Sequence, residues 1–232
     1  MKTISNLLVG AGALALLIGF PLHGAAPTEM PAIGFLRIVN AVAPGAGKVS
    51  IAIDGEDIFP KGYDLGQRTG GIGVKAGSHR ITIQKKGVEP GVTKVTLGKG
   101  ETLSLIAFAQ KKPPEKADDP PVWETRILHL KQSDPEKGRR MAVISLCSQE
   151  EIKVTLERRG KPIPEIVFVK RLLISNVNMG NSKADAQLSV CGEIVAKVMP
   201  EEPGNYVVIL YQDETGKVKA LSFYDPKFVI AS

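Results

Sequence analysis

Beyond the N-terminal region, the side chains best suited to chemistry are Cys147, Cys191, His79 and His129. An even cysteine pair in an exported chain, which the N-terminus described below indicates, reads as one disulfide before it reads as a catalytic thiol. Both cysteines follow strand-like runs, Ala142-Ile144-Leu146 and Ala186-Leu188-Val190, and each lies one residue off the more apolar face. Cys147 and Cys191 are therefore expected to occupy the same kind of face and to be bridged; unpaired thiols or an interchain bridge are the alternatives. Neither histidine has a carboxylate, cysteine or second histidine at ligand spacing, so no metal site is expected. His79, between Ser78 and Arg80, reads as a surface residue at a strand start.

Pro44-Gly45-Ala46-Gly47-Lys48 has the glycines and lysine of a phosphate loop, but Val49 stands where a magnesium-holding Ser or Thr is needed. A strand follows it instead of a helix whose N-terminus could bind anions, so it reads as a hairpin loop. Gly70, Gly71, Gly73 and Gly77 lack a surrounding βαβ unit and are no dinucleotide fingerprint. The acid pairs Asp118-Asp119, Glu150-Glu151 and Glu201-Glu202 are adjacent in loops, whereas catalytic carboxylates must oppose each other across a cleft. No catalytic residue and no cofactor are expected, and the chain reads as non-enzymatic.

The basic residues carry the remaining signal. Arg139 and Arg140 form one group, Arg158, Arg159 and Lys161 a second. If the two meet at one end of a sandwich, they make a cationic patch for a glycan, another anionic polymer or an acidic partner. The competing reading is strand-end charge that discourages edge pairing. With 30 Lys+Arg against 24 Asp+Glu, the net charge of +6 is too dilute for the basic stripe of a nucleic-acid binder. Trp123 is the single tryptophan, which argues against an aromatic sugar-binding platform.

The elements that must hold these residues follow a period of two. Val49, Ile51 and Ile53 alternate with Ser50, Ala52 and Asp54 before Gly55 turns the chain. Residues 80–84, 94–97, 103–108, 125–130, 140–146, 152–157, 186–190, 206–211 and 218–224 repeat the pattern, punctuated by Gly, Pro and Asp. No apolar stripe at helical spacing appears after the first residues. Short alternating strands at this spacing imply an all-β fold of antiparallel β-sandwiches.

A self-comparison divides the chain. Gly100-Glu101-Thr102-Leu103-Ser104-Leu105 matches Gly204-Asn205-Tyr206-Val207-Val208-Ile209, and the starts at residues 35–41 and 140–146 match too. Two tandem domains are expected, over 33–132 and 138–232. The proline-rich stretch 111–121 then becomes a loop inside the first domain, not the linker. Residues 1–26 have the layout of a secretory signal: Lys2, an apolar run over 7–20, then Pro21 and small residues ending in Gly24-Ala25-Ala26. The run falls short of the roughly 20 residues of a membrane span, and no cysteine near the cut could accept a lipid. Export to the periplasm, outer surface or medium is expected, with no transmembrane span in the mature chain.

The run Leu36-Arg37-Ile38-Val39-Asn40-Ala41, followed by Val49 to Asp54-Gly55 and later by Ala76-Gly77-Ser78-His79, resembles a bacterial family of exported β-sandwich domains of uncharacterised function. The resemblance covers residues 35–110; in the second half Ser148-Gln149-Glu150-Glu151 departs from it. It implies an Ig-like sandwich and use as a structural or adhesion-like interaction module of the envelope, with envelope proteins as partners. The alternatives are an accessory subunit of a pilus or secretion assembly using strand-edge contacts, and a hydrolase with a dispersed site.

Overall fold

The computed structural model describes residues 32–113, 122–131, 138–180 and 183–226. The expected signal, most of the proline-rich stretch and all but the end residues of the expected junction, Lys131 to Gly138, lie outside those residues. Every regular element among the described residues is a strand, and the strands form several stacked sheets of the β-sandwich kind.

The first half contributes β1 (Ile33–Ala41), β2 (Ala46–Ile53), β3 (Glu56–Asp57), β4 (Ile72–Lys75), β5 (Gly77–Lys86), β6 (Val88–Leu97), β7 (Thr102–Lys112) and β8 (Val122–Lys131). The second contributes β9 (Arg139–Ser145), β10 (Glu151–Arg158), β11 (Glu165–Lys170), β12 (Ile174–Gly180), β13 (Ala186–Val190), β14 (Glu193–Val198), β15 (Gly204–Gln212) and β16 (Val218–Asp225). Hydrogen-bonded pairing stays within each half. The first half forms one sheet in the order β3-β2-β5-β6-β8-β7-β1-β4, and the second forms two, β11-β10-β13-β14 and β12-β9-β15-β16.

The β6–β8 join rests on one pair, Glu89 opposite Glu124. Cutting the long sheet there leaves β3-β2-β5-β6 and β4-β1-β7-β8, which is the second half's strand order with eight subtracted from every label. That join brings the chains together closely: a Cβ on Gly91 would lie 2.7 Å from the Thr125 carbonyl oxygen, so only glycine fits. One expectation needs correcting. The sheets are not wholly antiparallel, since β1 runs parallel to β7 and β9 parallel to β15. In each half the chain crosses to the opposite sheet and returns before adding the seventh strand beside the first, which lets two parallel neighbours form without a helix.

The registers align the halves. Leu36 lies opposite Leu103, as Met141 lies opposite Tyr206, and all four face their own half's core. The sequence match sets Leu103 against Val207, one residue too late. In a strand such a slip reverses the face, and Val207 indeed points away from the core that Tyr206 lines.

Each half has its own apolar cluster, around Leu36, Ile51, Ile81 and Leu105 in the first and Met141, Val154, Leu188 and Val208 in the second. A third cluster belongs to both: Val39, Ala41, Ile106, Phe108 and Leu130 pack with Ile144, Leu146, Val207, Ile209 and Phe223. Strands β1, β7, β9 and β15 are consequently buried on both faces. At roughly 1.5–3 kcal/mol for each fully buried aliphatic side chain, this shared layer stabilises the pairing of the halves substantially.

Candidate functional site

The five basic residues read as a patch fall at one end of the second half, where β9 begins and β10 runs out. They do not act alike. Arg139 is buried, and its guanidinium donates to the carbonyls of Pro200 (2.5 Å) and Glu201 (2.8 Å), so it holds the β14–β15 connection in place. Arg140, Arg159 and Lys161 are exposed. Arg158 lies between these extremes: its side chain is 11% exposed, Nη1 donates to the Asn178 carbonyl (3.1 Å) and Nη2 to the Glu165 carboxylate (2.5 Å). Its Nε is buried with no hydrogen-bond partner.

Beside Arg158 is a cavity of about 620 Å³, within the range of small-molecule sites. Four cationic side chains line it, Arg158, Arg159, Lys161 and Lys197, against two carboxylates, Glu157 and Asp185. The loop that shapes it leaves β10 through Gly160 at φ 86°, with Lys161 N–H donating to the Arg158 carbonyl (3.0 Å) and Arg159 N–H to the Asp185 carbonyl (3.1 Å). Pro162 and Pro164 then stiffen its outer wall.

A second cleft, of about 490 Å³, opens at the seam between the halves and includes Lys111, Trp123, Arg171 and Tyr211. Its polar groups largely serve the fold. The Gln212 side-chain Oε1 accepts from Ser148 N–H (3.0 Å) and Oγ–H (2.9 Å), and Arg171 Nε donates to the Cys147 backbone carbonyl (3.1 Å).

The expected disulfide is absent: Cys147 and Cys191 are both free. Cys147 is buried in the second half's own core just after β9. Cys191 is exposed at the first position of the two-residue turn between β13 and β14, with φ 51° and Gly192 following at 81°. That is the paired left-handed geometry of a type I′ hairpin. Strand parity indicates which face a residue favours, but Cys191 has already left the strand, so the parity argument for a bridge does not reach it. Burial pushes the Cys147 thiol above its ordinary pKa, the opposite of an activated nucleophile.

Three polar arrangements were invisible in the sequence. His79 is not a free surface residue: Nδ1 lies 2.7 Å from the Asp54 carboxylate and Nε2 2.6 Å from the Lys75 carbonyl. Two acceptors on one ring favour the doubly protonated form, and the Asp54 bond, then the Lys75 bond, raise the His79 pKa. Arg80 N–H and His79 together hold Asp54 below the usual carboxylate range. Lys85, also buried, donates from Nζ to the carbonyls of Val42 (2.8 Å) and Ala43 (3.2 Å), fastening the loop after β1. Burial lowers its pKa.

The third arrangement crosses the halves. Arg37 in β1, 3% exposed, pairs with Asp225 at the end of β16, 2% exposed, and Ser104 Oγ donates to the same carboxylate at 3.2 Å. Burial first, and then the nearby Arg68 cation, lower the Arg37 pKa to about 10. Arg68 itself stacks its guanidinium 5.2 Å from the Phe223 ring centre. A charged group of this kind inside an apolar layer costs desolvation that its partners must offset.

Among the described residues, no group of three or more His, Cys, Asp or Glu side chains could hold a metal ion. No helix among them is long and apolar enough to cross a membrane. No protein-family model matches the chain, and no curated protein matches it.

Proposed function

We propose that this chain is an exported, non-enzymatic interaction protein of the cell envelope, built from two tandem Ig-like β-sandwich domains over residues 33–132 and 138–232. The repeated strand order and the separate cores support the tandem reading. His79, Arg139 and Lys85 are engaged in bonds that fasten loops and turns, which suits a structural role.

The observation that carries the interaction reading is the concentration of exposed apolar side chains around the edge strand β11. Ile163 is 80% exposed, and Ile166, Phe168, Leu173 and Ile174 are exposed beside it. Apolar residues grouped on an unpaired sheet edge suit contact with a protein partner, including the addition of a strand. The same edge makes an accessory subunit of a pilus or secretion assembly the second reading.

Site-specific photo-crosslinking in intact cells tests the contact. A crosslinker at Phe168 should yield envelope-protein adducts, and one at Val92 in the first half should not. N-terminal sequencing of the recovered product should begin near residue 26; recovery beginning at Met1 from the cytoplasm would refute export.

A further inference from the structure

We infer that the cavity at the end of the second half binds a phosphate or sulfate group carried on a sugar. The inference goes beyond the interaction reading and does not depend on it, because the cavity lies in the folded second half wherever the chain resides.

Two observations converge on an oxyanion. Four cations line the space against two carboxylates. Arg158 is held rigid from both sides by Asn178 and Glu165, so its guanidinium is set in place before any ligand arrives. Arg159, Lys161 and Lys197 stand around it to meet the remaining charge, as compact and forked cations do in phosphate and sulfate sites.

The surroundings point to a carrier larger than the bare ion. About 620 Å³ is far more space than one oxyanion fills. Pro162, Pro164 and Met199 give the remainder an apolar wall, and Gln187 adds an amide that can both donate and accept. Such a lining suits a sugar ring, with its C–H faces and hydroxyls, better than a second charged group.

Isothermal titration of the purified full chain distinguishes the sources, with glucose 6-phosphate, glucose, inorganic phosphate and dextran sulfate as probes. Glucose 6-phosphate should bind saturably, inorganic phosphate at least tenfold more weakly, and glucose not measurably. Dextran sulfate should compete with glucose 6-phosphate. Arg159→Ala combined with Lys161→Ala, both at exposed positions, should weaken glucose 6-phosphate by at least about tenfold, the loss of one or two charge-assisted hydrogen bonds. The charge-matched control Lys86→Ala with Lys99→Ala, in the first half, should leave it unchanged. Absence of saturable binding by glucose 6-phosphate overturns the site. Equal losses in both double variants also overturn it, since they would show attraction by overall charge. Inorganic phosphate binding as tightly as glucose 6-phosphate overturns the sugar carrier.

Discussion

The two halves share one strand order and part company at their edges. In the first half the outermost strand β3 has two residues, and the long connection after it folds back along β1. Thr69 N–H donates to the Ile38 carbonyl (2.9 Å), Asn40 N–H to Gln67 (2.9 Å) and Gly66 N–H to Asn40 (2.8 Å), so that connection closes the edge β4 leaves uncovered. In the second half the equivalent strand β11 runs for six residues, and the corner after it is short. There the exposed Ile166 and Phe168 remain on the edge. One topology therefore carries two kinds of edge, a short one in the first half and a longer, apolar and exposed one in the second. The difference lies in the length of a connection and not in the fold.

The most severe way to disturb this arrangement is at the layer the halves share. Asp225→Ala leaves the Arg37 cation buried without its partner carboxylate, and should cost about 3–5 kcal/mol in urea unfolding. Ile209→Ala, in the shared cluster, should cost about 2–5 kcal/mol. It should lower the stability of both halves together, whereas Leu188→Ala should first weaken the second half; hydrogen exchange resolved by peptide distinguishes the two outcomes. Gly192→Ala, which places a side chain at φ 81° in the β13–β14 turn, should cost about 1–2 kcal/mol.

Smaller effects sharpen the contrast between sealed and open edges. His79 has its pKa raised by Asp54 and Lys75, so its contribution is fully present below the ordinary imidazole value of 6.5. It is lost as pH rises through the raised folded value. Thermal stability should therefore fall as pH rises above about 6.5, and that slope should flatten in His79→Gln. Phe168→Lys, on the open edge, should change stability by no more than about 0.5 kcal/mol while abolishing the adducts formed by a crosslinker at Ile166.

The strands were legible because period-two patterning and Asp-Gly or Gly turns act locally. The face-to-face packing of the halves had a local sign as well: Leu103-Ser104-Leu105-Ile106-Ala107-Phe108 and Tyr206-Val207-Val208-Ile209-Leu210 are nearly continuous apolar runs, as strands buried on both faces must be. Such continuity hides the period of two, so the repeat in the sequence aligns one residue out of register with the repeat in the fold. The clustering of Arg158, Arg159 and Lys161 was legible from adjacency. The role of Arg139 was not, because its acceptors at Pro200 and Glu201 come from across the sandwich. The Asp54–His79 bond follows from pairing β2 with β5, which sets Ile53 opposite Ile81 and so brings the end of one strand to the start of the other. The long-range pair Arg37–Asp225 likewise has no trace in local pattern.

The shared layer has a further consequence. Val39 and Ile106 meet Ile144 and Ile209, their counterparts at the same places in the repeated strand order, so like faces meet like faces. Between separate chains this would be the self-complementary contact of a two-fold dimer, filled only above a threshold concentration. Here Lys131 and Arg139 tether the two faces through a few residues, which sets an effective concentration on the order of millimolar that dilution does not change. The two halves thus stay together at any abundance of the protein. Its unfolding midpoint should be the same at every protein concentration.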